Sequence, residues 1–281
     1  MPPPSPSDAV RDGGPRQASG EISRPRDRAA LVGRLRAAGC VYAEDEAELL
    51  LAAADSPATL ADLTDRRVAG EPLEYLLGWA EFAGLRIAVD AGVFVPRART
   101  ALLVEVAVEV TGPTPAVVDL CCGSGATTVA LAHRLTPRWL AAADIDPAAV
   151  ACARRNVDGL NVEVYEGDLF APLPPQWRGR LDLVVCNAPY VPTEAVALMP
   201  SEARLHEAPV ALDGGPDGLS VLRRVGVDAA EWLAPGGHLV VEAGTTQVPM
   251  LCAAFHVAGL IPAVRHDENL DATAVVARHP T

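Results

Sequence analysis

The apolar positions of this chain change their spacing three times, and each change marks a boundary. Residues 1–25 show no pattern: Pro2, Pro3, Pro4, Pro6, Pro15 and Pro25 stand among Ser, Gly and Asp, with almost no large apolar groups to offset the entropy of ordering. A disordered tail is expected there. From residue 26 to residue 70 the spacing becomes helical, with Leu31, Val32 and Leu35 on one face and Leu49, Leu50 and Leu51 in a second, alanine-rich segment. Ser56-Pro57 reads as the N-cap and first residue of a third helix, which Gly70 stops. Between Glu71 and Pro96 the period shortens: Trp79 and Phe82 precede Ala83-Gly84, and Leu85, Ile87 and Val89 follow it, the layout of a β-hairpin. Val93-Phe94-Val95-Pro96-Arg97 ends this ribbon, and Leu102, Leu103, Val106 and Val110 then mark a helix.

The remainder alternates apolar runs with helical stretches, which specifies a largely parallel sheet covered on both faces. Strands are read at residues 116–120, 139–145, 161–165, 181–187, 238–243, 260–266 and 273–278, and helices at 125–135, 147–156, 218–233 and 247–258. The link from Asp267 to Ala272 is too short for a parallel crossover, so the last two strands should pair antiparallel. The chain is thus α/β, Rossmann-like and seven-stranded, divided into a tail (1–25), a helical domain (26–70), a hairpin linker (71–97) that would join the two domains, and the sheet domain (98–281).

Composition narrows the function. A formal charge of −13 repels a phosphate backbone, so a protein or small-molecule substrate is favoured over nucleic acid. No apolar stretch reaches the roughly 18 residues of a membrane span, and the start lacks the charged-then-apolar order of a signal peptide. A soluble, cytoplasmic protein with no membrane association is expected. The six cysteines show no CxxC spacing and no neighbouring His, which points to reduced structural thiols and no metal.

Candidate chemistry gathers at the strand ends. The run Ala116-Val117-Val118-Asp119-Leu120 enters Cys121-Cys122-Gly123-Ser124-Gly125 and then a helix, so Gly123 and Gly125 would let the backbone approach a ligand and free helix N-terminal amides. Asp144 ends the next strand, 19 residues after Gly125, where a carboxylate suits ribose hydroxyls. Asp168 ends the third and could accept from an exocyclic amine; Ile145 and Leu169, beside these carboxylates, join Asp119 and Cys121 in the candidate cofactor set. A dinucleotide site would want a third glycine where Thr128 stands, and Asp119 is ill suited to a pyrophosphate but compatible with a sulfonium and an α-amino group, so S-adenosyl-L-methionine is the expected cofactor. The bland alternative makes the three acids helix caps, and must explain all three at consecutive strand ends.

The apolar run Leu181 to Cys186 stops at Asn187-Ala188-Pro189-Tyr190, which would sit at the mouth of a crevice at the sheet's carboxyl edge. Asn187 offers a carboxamide oxygen, Asn187 and Ala188 offer carbonyls, and Tyr190 offers a flat ring, the parts needed to hold a planar NH2 group. As a tetrapeptide alone it reads equally as a strand-ending turn. No strong general base is evident near Asn187, and none is needed if the site works by position. Arg97, by itself, would be a solvated surface charge.

Taken together, these residues resemble the HemK/PrmC-like protein-(glutamine-N5) methyltransferases over nearly everything except the tail. The most specific parts are Glu71-Pro72-Leu73-Glu74-Tyr75-Leu76-Leu77-Gly78, Phe94-Val95-Pro96-Arg97, the glycine loop, the 187–190 tetrapeptide and Ala211-Leu212-Asp213-Gly214-Gly215-Pro216-Asp217-Gly218-Leu219. The resemblance implies a class I methyltransferase domain, a helical N-terminal domain for recognising the substrate, and methylation of the glutamine of the Gly-Gly-Gln motif in class 1 peptide chain release factors. Asn187, Ala188, Pro189 and Tyr190 would be catalytic, with Pro96 and Arg97 beside the substrate and Asn187 also near the cofactor. The chain departs from the family pattern at Ala188, where proline is usual, at Cys121, where glycine is common, and at Ala98-Arg99-Thr100, where Pro-Glu-Thr is usual. The alternatives are another protein substrate within the family, an amino-methyltransferase acting on adenine or guanine in nucleic acid, and a binding module without turnover.

Overall fold

The computed structural model describes residues 24–281. The expected tail lies outside the described residues except for Arg24 and Pro25, which open the first helix. The described residues form two compact units, one ending at Val68 and the other running from Ala69 to Thr281.

The first unit is three helices, α1 (Arg24–Ala37), α2 (Ala43–Ala53) and α3 (Pro57–Val68). Leu31, Val32 and Leu35 are buried with Ala47, Leu50 and Leu63, as the helical spacing requires. Ser56 Oγ accepts from the Thr59 amide at 3.1 Å, the cap read from Ser56-Pro57. Glu46, on the inner face of α2, is held by Arg67 at 2.6 Å, which meets the demand that a buried charge be paired.

The second unit opens with a short helix, α4 (Leu73–Leu77), and the hairpin β1 (Trp79–Phe82) and β2 (Leu85–Ala88). Five residues are too few for a period to show, which is why α4 is absent from the sequence reading. The hairpin, expected to join two domains, is part of this larger unit: Phe82 and Ile87 are buried in the same core as Leu103 and Leu131. An isolated two-stranded ribbon is marginal in water, and this packing is what stabilises it. There follow α5 (Ala101–Val110), β3 (Ala116–Leu120), α6 (Ala126–Arg134), β4 (Trp139–Asp144), α7 (Pro147–Asn156), β5 (Glu163–Glu166), β6 (Leu181–Cys186), α8 (Thr193–Val196), α9 (Ser201–His206), α10 (Ser220–Trp232), β7 (Leu233–Glu242), α11 (Val248–Val257), β8 (Ile261–Asp267) and β9 (Ala272–Arg278).

The sheet has seven strands in the order β5-β4-β3-β6-β7-β9-β8, parallel except for β9, which runs against both β7 and β8. Successive residues of β3 feed opposite cores: Ala116, Val118 and Leu120 pack with Leu222, Val225 and Phe255, whereas Val117 packs with Leu103 and Leu131. Burial on both faces is the reason these strands read as unbroken apolar runs. From β3 the chain winds outward through β4 and β5, then returns to β6 on the other side of β3. That reversal leaves a crevice at the carboxyl ends of β3 and β6.

Candidate active site

One cleft of ≈ 440 Å3 opens at this reversal, lined by Pro96, Arg97, Asp119, Cys121, Gly123, Asp144, Ile145, Asp168, Leu169, Asn187, Ala188, Pro189 and Tyr190. Of the candidate residues only Gly125 does not line it. A Cβ at Gly125 would lie 3.1 Å from that of Ala153 on α7, so this glycine permits close helix packing.

After β3 the backbone turns through positive φ at Cys121 (54°) and Gly123 (55°) before α6 begins. Cys121 therefore holds, with a side chain, a conformation that costs an L residue roughly 1–2 kcal/mol; this is the position where the resemblance expects glycine. The turn is tied to β4, because Asp144 Oδ2 accepts from the Gly123 amide at 2.8 Å while its Oδ1 accepts from the Asp146 amide at 2.9 Å. Each oxygen keeps a lone pair for a further donor. Burial raises the Asp144 carboxyl above its usual range in spite of those amides. Asp119 is almost fully buried and accepts from Thr128 Oγ1 at 2.5 Å; burial pushes its carboxyl up to about 7. Thr128, at the place of a dinucleotide site's third glycine, is thus the partner of Asp119. Cys122 is pushed up by burial, and Cys186 first by its hydrogen bond to Cys121 and then by burial, so neither is poised as a thiolate nucleophile.

Asp168 is at the rim, where Arg224 of α10 donates to its Oδ2 at 2.6 Å. Asp168, expected to accept from a ligand amine, thus has one carboxylate oxygen committed to the guanidinium and the other left.

On the opposite side, β6 delivers Asn187 and Tyr190 into a hydrogen-bond chain. Asn187 Nδ2 donates to Thr100 Oγ1 at 3.2 Å, and Thr100 Oγ1 donates to Glu242 Oε2 at 2.7 Å. Glu242 Oε1 accepts from the Tyr190 hydroxyl at 2.8 Å and pairs with Arg99 Nε at 3.3 Å. Glu242 ends β7 and is buried. Burial, and after it the Glu242 charge, raise the Tyr190 phenol above its ordinary value, so it stays a neutral donor. A carboxylate thus stands behind Asn187 where none was anticipated, yet it reaches the carboxamide only through Thr100.

The backbone of the tetrapeptide is braced by the Ala211-to-Leu219 motif. Val191 and Asp213 form a parallel bridge, with the Val191 amide donating to the Leu212 carbonyl at 3.2 Å and the Gly214 amide to the Val191 carbonyl at 2.9 Å. Gln247 Nε2 donates to the Tyr190 carbonyl at 2.9 Å and the Asp217 carbonyl at 3.0 Å. Two glycines make this approach feasible: a Cβ at Gly214 would lie 2.6 Å from the Pro189 carbonyl oxygen, and one at Gly218 (φ 75°) would overlap the Tyr190 carbonyl and Gln247. The loop of residues 191–218 holds the short helices α8 and α9.

Arg97 is no solvated charge. Its guanidinium donates to Glu207 Oε1 at 2.6 Å and lies 4.9 Å from the Phe94 ring centroid, and the same oxygen accepts from the Val95 amide at 3.1 Å. This pins the Pro96-Arg97 segment at the cleft. Thr100, Arg224, Glu242 and Gln247 were all missed in the sequence. Glu242 alone carried a signal, since it ends an apolar strand, Leu239-Val240-Val241-Glu242, as Asp144 ends another.

Among the described residues no helix is long and apolar enough to cross a membrane. The Methyltransferase small domain family matches residues 84–224. The methyltransferase of Pyrococcus furiosus shares the fold with a TM-score of 0.55, at 14% identity over 79% of this chain and 100% of its own. The release factor glutamine methyltransferase of Geobacter sulfurreducens is 41% identical over 195 residues, 69% of this chain and 68% of its own. That of Mycolicibacterium smegmatis is 40% identical over 269 residues, 89% of this chain and 91% of its own. With a methyltransferase fold, a cleft at its topological reversal and these relatives along most of its length, the chain belongs to the family of release factor glutamine methyltransferases.

Proposed function

We propose that the protein transfers the methyl group of S-adenosyl-L-methionine to the side-chain amide nitrogen, N5, of a protein glutamine, that of the Gly-Gly-Gln motif in a class 1 peptide chain release factor. The observation that carries this reading is the braced turn at residues 187–190, set in the same cleft as the carboxylates Asp119, Asp144 and Asp168. The residues present fit the cofactor. Asp144 retains lone pairs for ribose hydroxyls after accepting from Gly123 and Asp146, and Asp119 offers a buried counter-charge to a cationic ligand. Asp168 keeps one oxygen for an exocyclic amine while Arg224 fixes the other. When bound, the cofactor supplies an electrophilic methyl group on a positively charged sulfur.

An amide nitrogen is a poor nucleophile because its lone pair is delocalised into the carbonyl, so the protein's contribution is position. The Asn187 carboxamide oxygen and the Ala188 carbonyl accept the two hydrogens of the substrate NH2, and the Tyr190 ring fixes the amide plane. Ala188 in place of the family's proline leaves that carbonyl present, since every residue has one. The bracing by Gln247 and by the Gly214 and Gly218 turns supplies the rigidity that proline would give. Alignment of this kind is worth roughly 7–11 kcal/mol in favourable cases. No base is needed before the bond forms, because the nitrogen becomes acidic only once it is alkylated. The helical unit of α1 to α3 is assigned to recognition of the protein substrate.

The test is incubation of the purified enzyme and radiolabelled cofactor with total cell protein, and separately with total RNA and DNA. Label in protein alone is expected; label in nucleic acid would transfer the site to a flipped or single-stranded base, and label in neither would leave a binding module.

A further inference from the structure

Asn187 can turn either end of its carboxamide to the cleft, and only one end suits an incoming NH2 group. With the oxygen outward it accepts a hydrogen; with the nitrogen outward two donors face each other. Atom positions alone do not distinguish the two ends of a carboxamide, but a count of donors does. Glu242, paired with Arg99, accepts only; its Oε2 faces Thr100 and so must take the single hydroxyl proton of that residue. Thr100 Oγ1 has then nothing left to donate and receives from Asn187, which must present Nδ2 to it. The carboxamide oxygen is thereby the end left for the cleft.

We propose that Glu242, acting through Thr100, is a positioning group that sets the orientation of the Asn187 carboxamide and so makes it an acceptor for the substrate amide. The inference rests on the function proposed above and extends it to Thr100, at the cleft wall, and to Glu242, behind it. It also explains why two residues 142 positions apart in sequence meet in a buried hydrogen bond behind the cleft. A glutamine in place of Glu242 reverses the chain. Its oxygen is retained by the two donors at Oε1, Tyr190 and Arg99, so its NH2 faces Thr100. Thr100 must then donate to Asn187, whose nitrogen swings to the cleft.

The test compares Thr100→Val, Thr100→Ser and Glu242→Gln with wild type in kcat and KM for release factor at saturating cofactor, in cofactor Kd by calorimetry, and in thermal midpoint. Thr100→Val and Glu242→Gln are expected to lose about ten- to a hundredfold in kcat, the scale of a displaced reacting group. KM and cofactor Kd should stay close to wild type, the midpoint of Thr100→Val should fall because Glu242 and Asn187 lose a buried partner, and Thr100→Ser, which restores the hydroxyl, should regain most of the lost kcat. A kcat near wild type in both Thr100→Val and Glu242→Gln overturns the proposal, as does a loss of cofactor affinity as large as the loss of kcat. A wild-type enzyme inert toward release factor would instead sink the function proposed above. The relay is then read from the Asn187 side-chain NH2 resonances of the enzyme alone: a hydrogen-bonded, slowly exchanging proton in wild type and Thr100→Ser, absent from Thr100→Val and Glu242→Gln. The same signal in all four proteins overturns it.

Discussion

The two sides of the cleft are built from the same materials, strand-end polar residues over an apolar sheet, yet they are finished differently. On the β3-β4-β5 side each carboxylate has a partner, Thr128, the Gly123 and Asp146 amides, or Arg224, and keeps spare acceptor capacity. On the β6-β7 side the tetrapeptide is cross-braced by Thr100, Glu242, Gln247 and the Gly214-to-Gly218 turn, and Tyr190 has both its hydroxyl and its carbonyl engaged. The first arrangement suits binding, where lone pairs must remain for a ligand. The second suits catalysis by alignment, where what matters is that the acceptor atoms hold still.

That contrast can be broken by separating affinity from turnover. The largest effect is expected on the braced side: Asn187→Ala should lower kcat by about a hundred- to a thousandfold, the scale of losing one preorganised hydrogen-bonding group, with cofactor Kd changed little. Steady-state kinetics together with calorimetry check this, and a variant that loses affinity and keeps turnover would reverse the assignment. Next comes Asp144→Ala, where a hydrogen bond to a charged group is lost at roughly 1.5–3 kcal/mol. It should weaken the cofactor about ten- to a hundred-and-fiftyfold by titration calorimetry and leave kcat at saturation far less affected.

The smallest effect sharpens the comparison through pH. Burial raises the Asp119 carboxyl from 3.8 to about 7, so the folded protein holds a proton that the unfolded chain has released between those values. Stability from this group is therefore greatest at the acid end and falls as pH rises from about 4 through about 7. Asp119→Asn keeps an acceptor for Thr128 and removes the charge. Its thermal midpoint should match wild type only below about pH 4 and exceed it by a margin that widens up to about pH 7, while cofactor affinity should lose the rise through pH 7 expected of the wild type. Parallel midpoint curves for the two proteins would show that Asp119 does not titrate there.

Much of this was legible in the sequence because its causes are local. Strands buried on both faces write themselves as unbroken apolar runs, and Asp119 and Asp144 lie at the carboxyl ends of two of them, β3 and β4, while Asp168 follows the more exposed edge strand β5. The tetrapeptide was legible for the same reason. The bracing was not, because its partners are distant in sequence and carry no period. Thr100 reaches Glu242 across 142 positions, Tyr190 reaches Glu242 across 52, and Gln247 reaches Tyr190 across 57. The Ala211-to-Leu219 motif was visible as part of the resemblance, but the purpose of its glycines depends on the register of Val191 with Asp213. The packing of Gly125 against Ala153 was not legible, because a glycine for ligand approach and a glycine for helix packing look alike in a strand-to-helix loop.

The central claim is that this cleft methylates the amide nitrogen of one glutamine in a release factor. Tandem mass spectrometry of a class 1 release factor from the same organism, after incubation with enzyme and S-adenosyl-L-methionine, tests it most directly. The account predicts a single added methyl group on the side-chain amide of the Gly-Gly-Gln glutamine, absent when Asn187→Ala is used. An unmodified glutamine from a preparation that binds the cofactor, or a methyl group on any other residue, would contradict it.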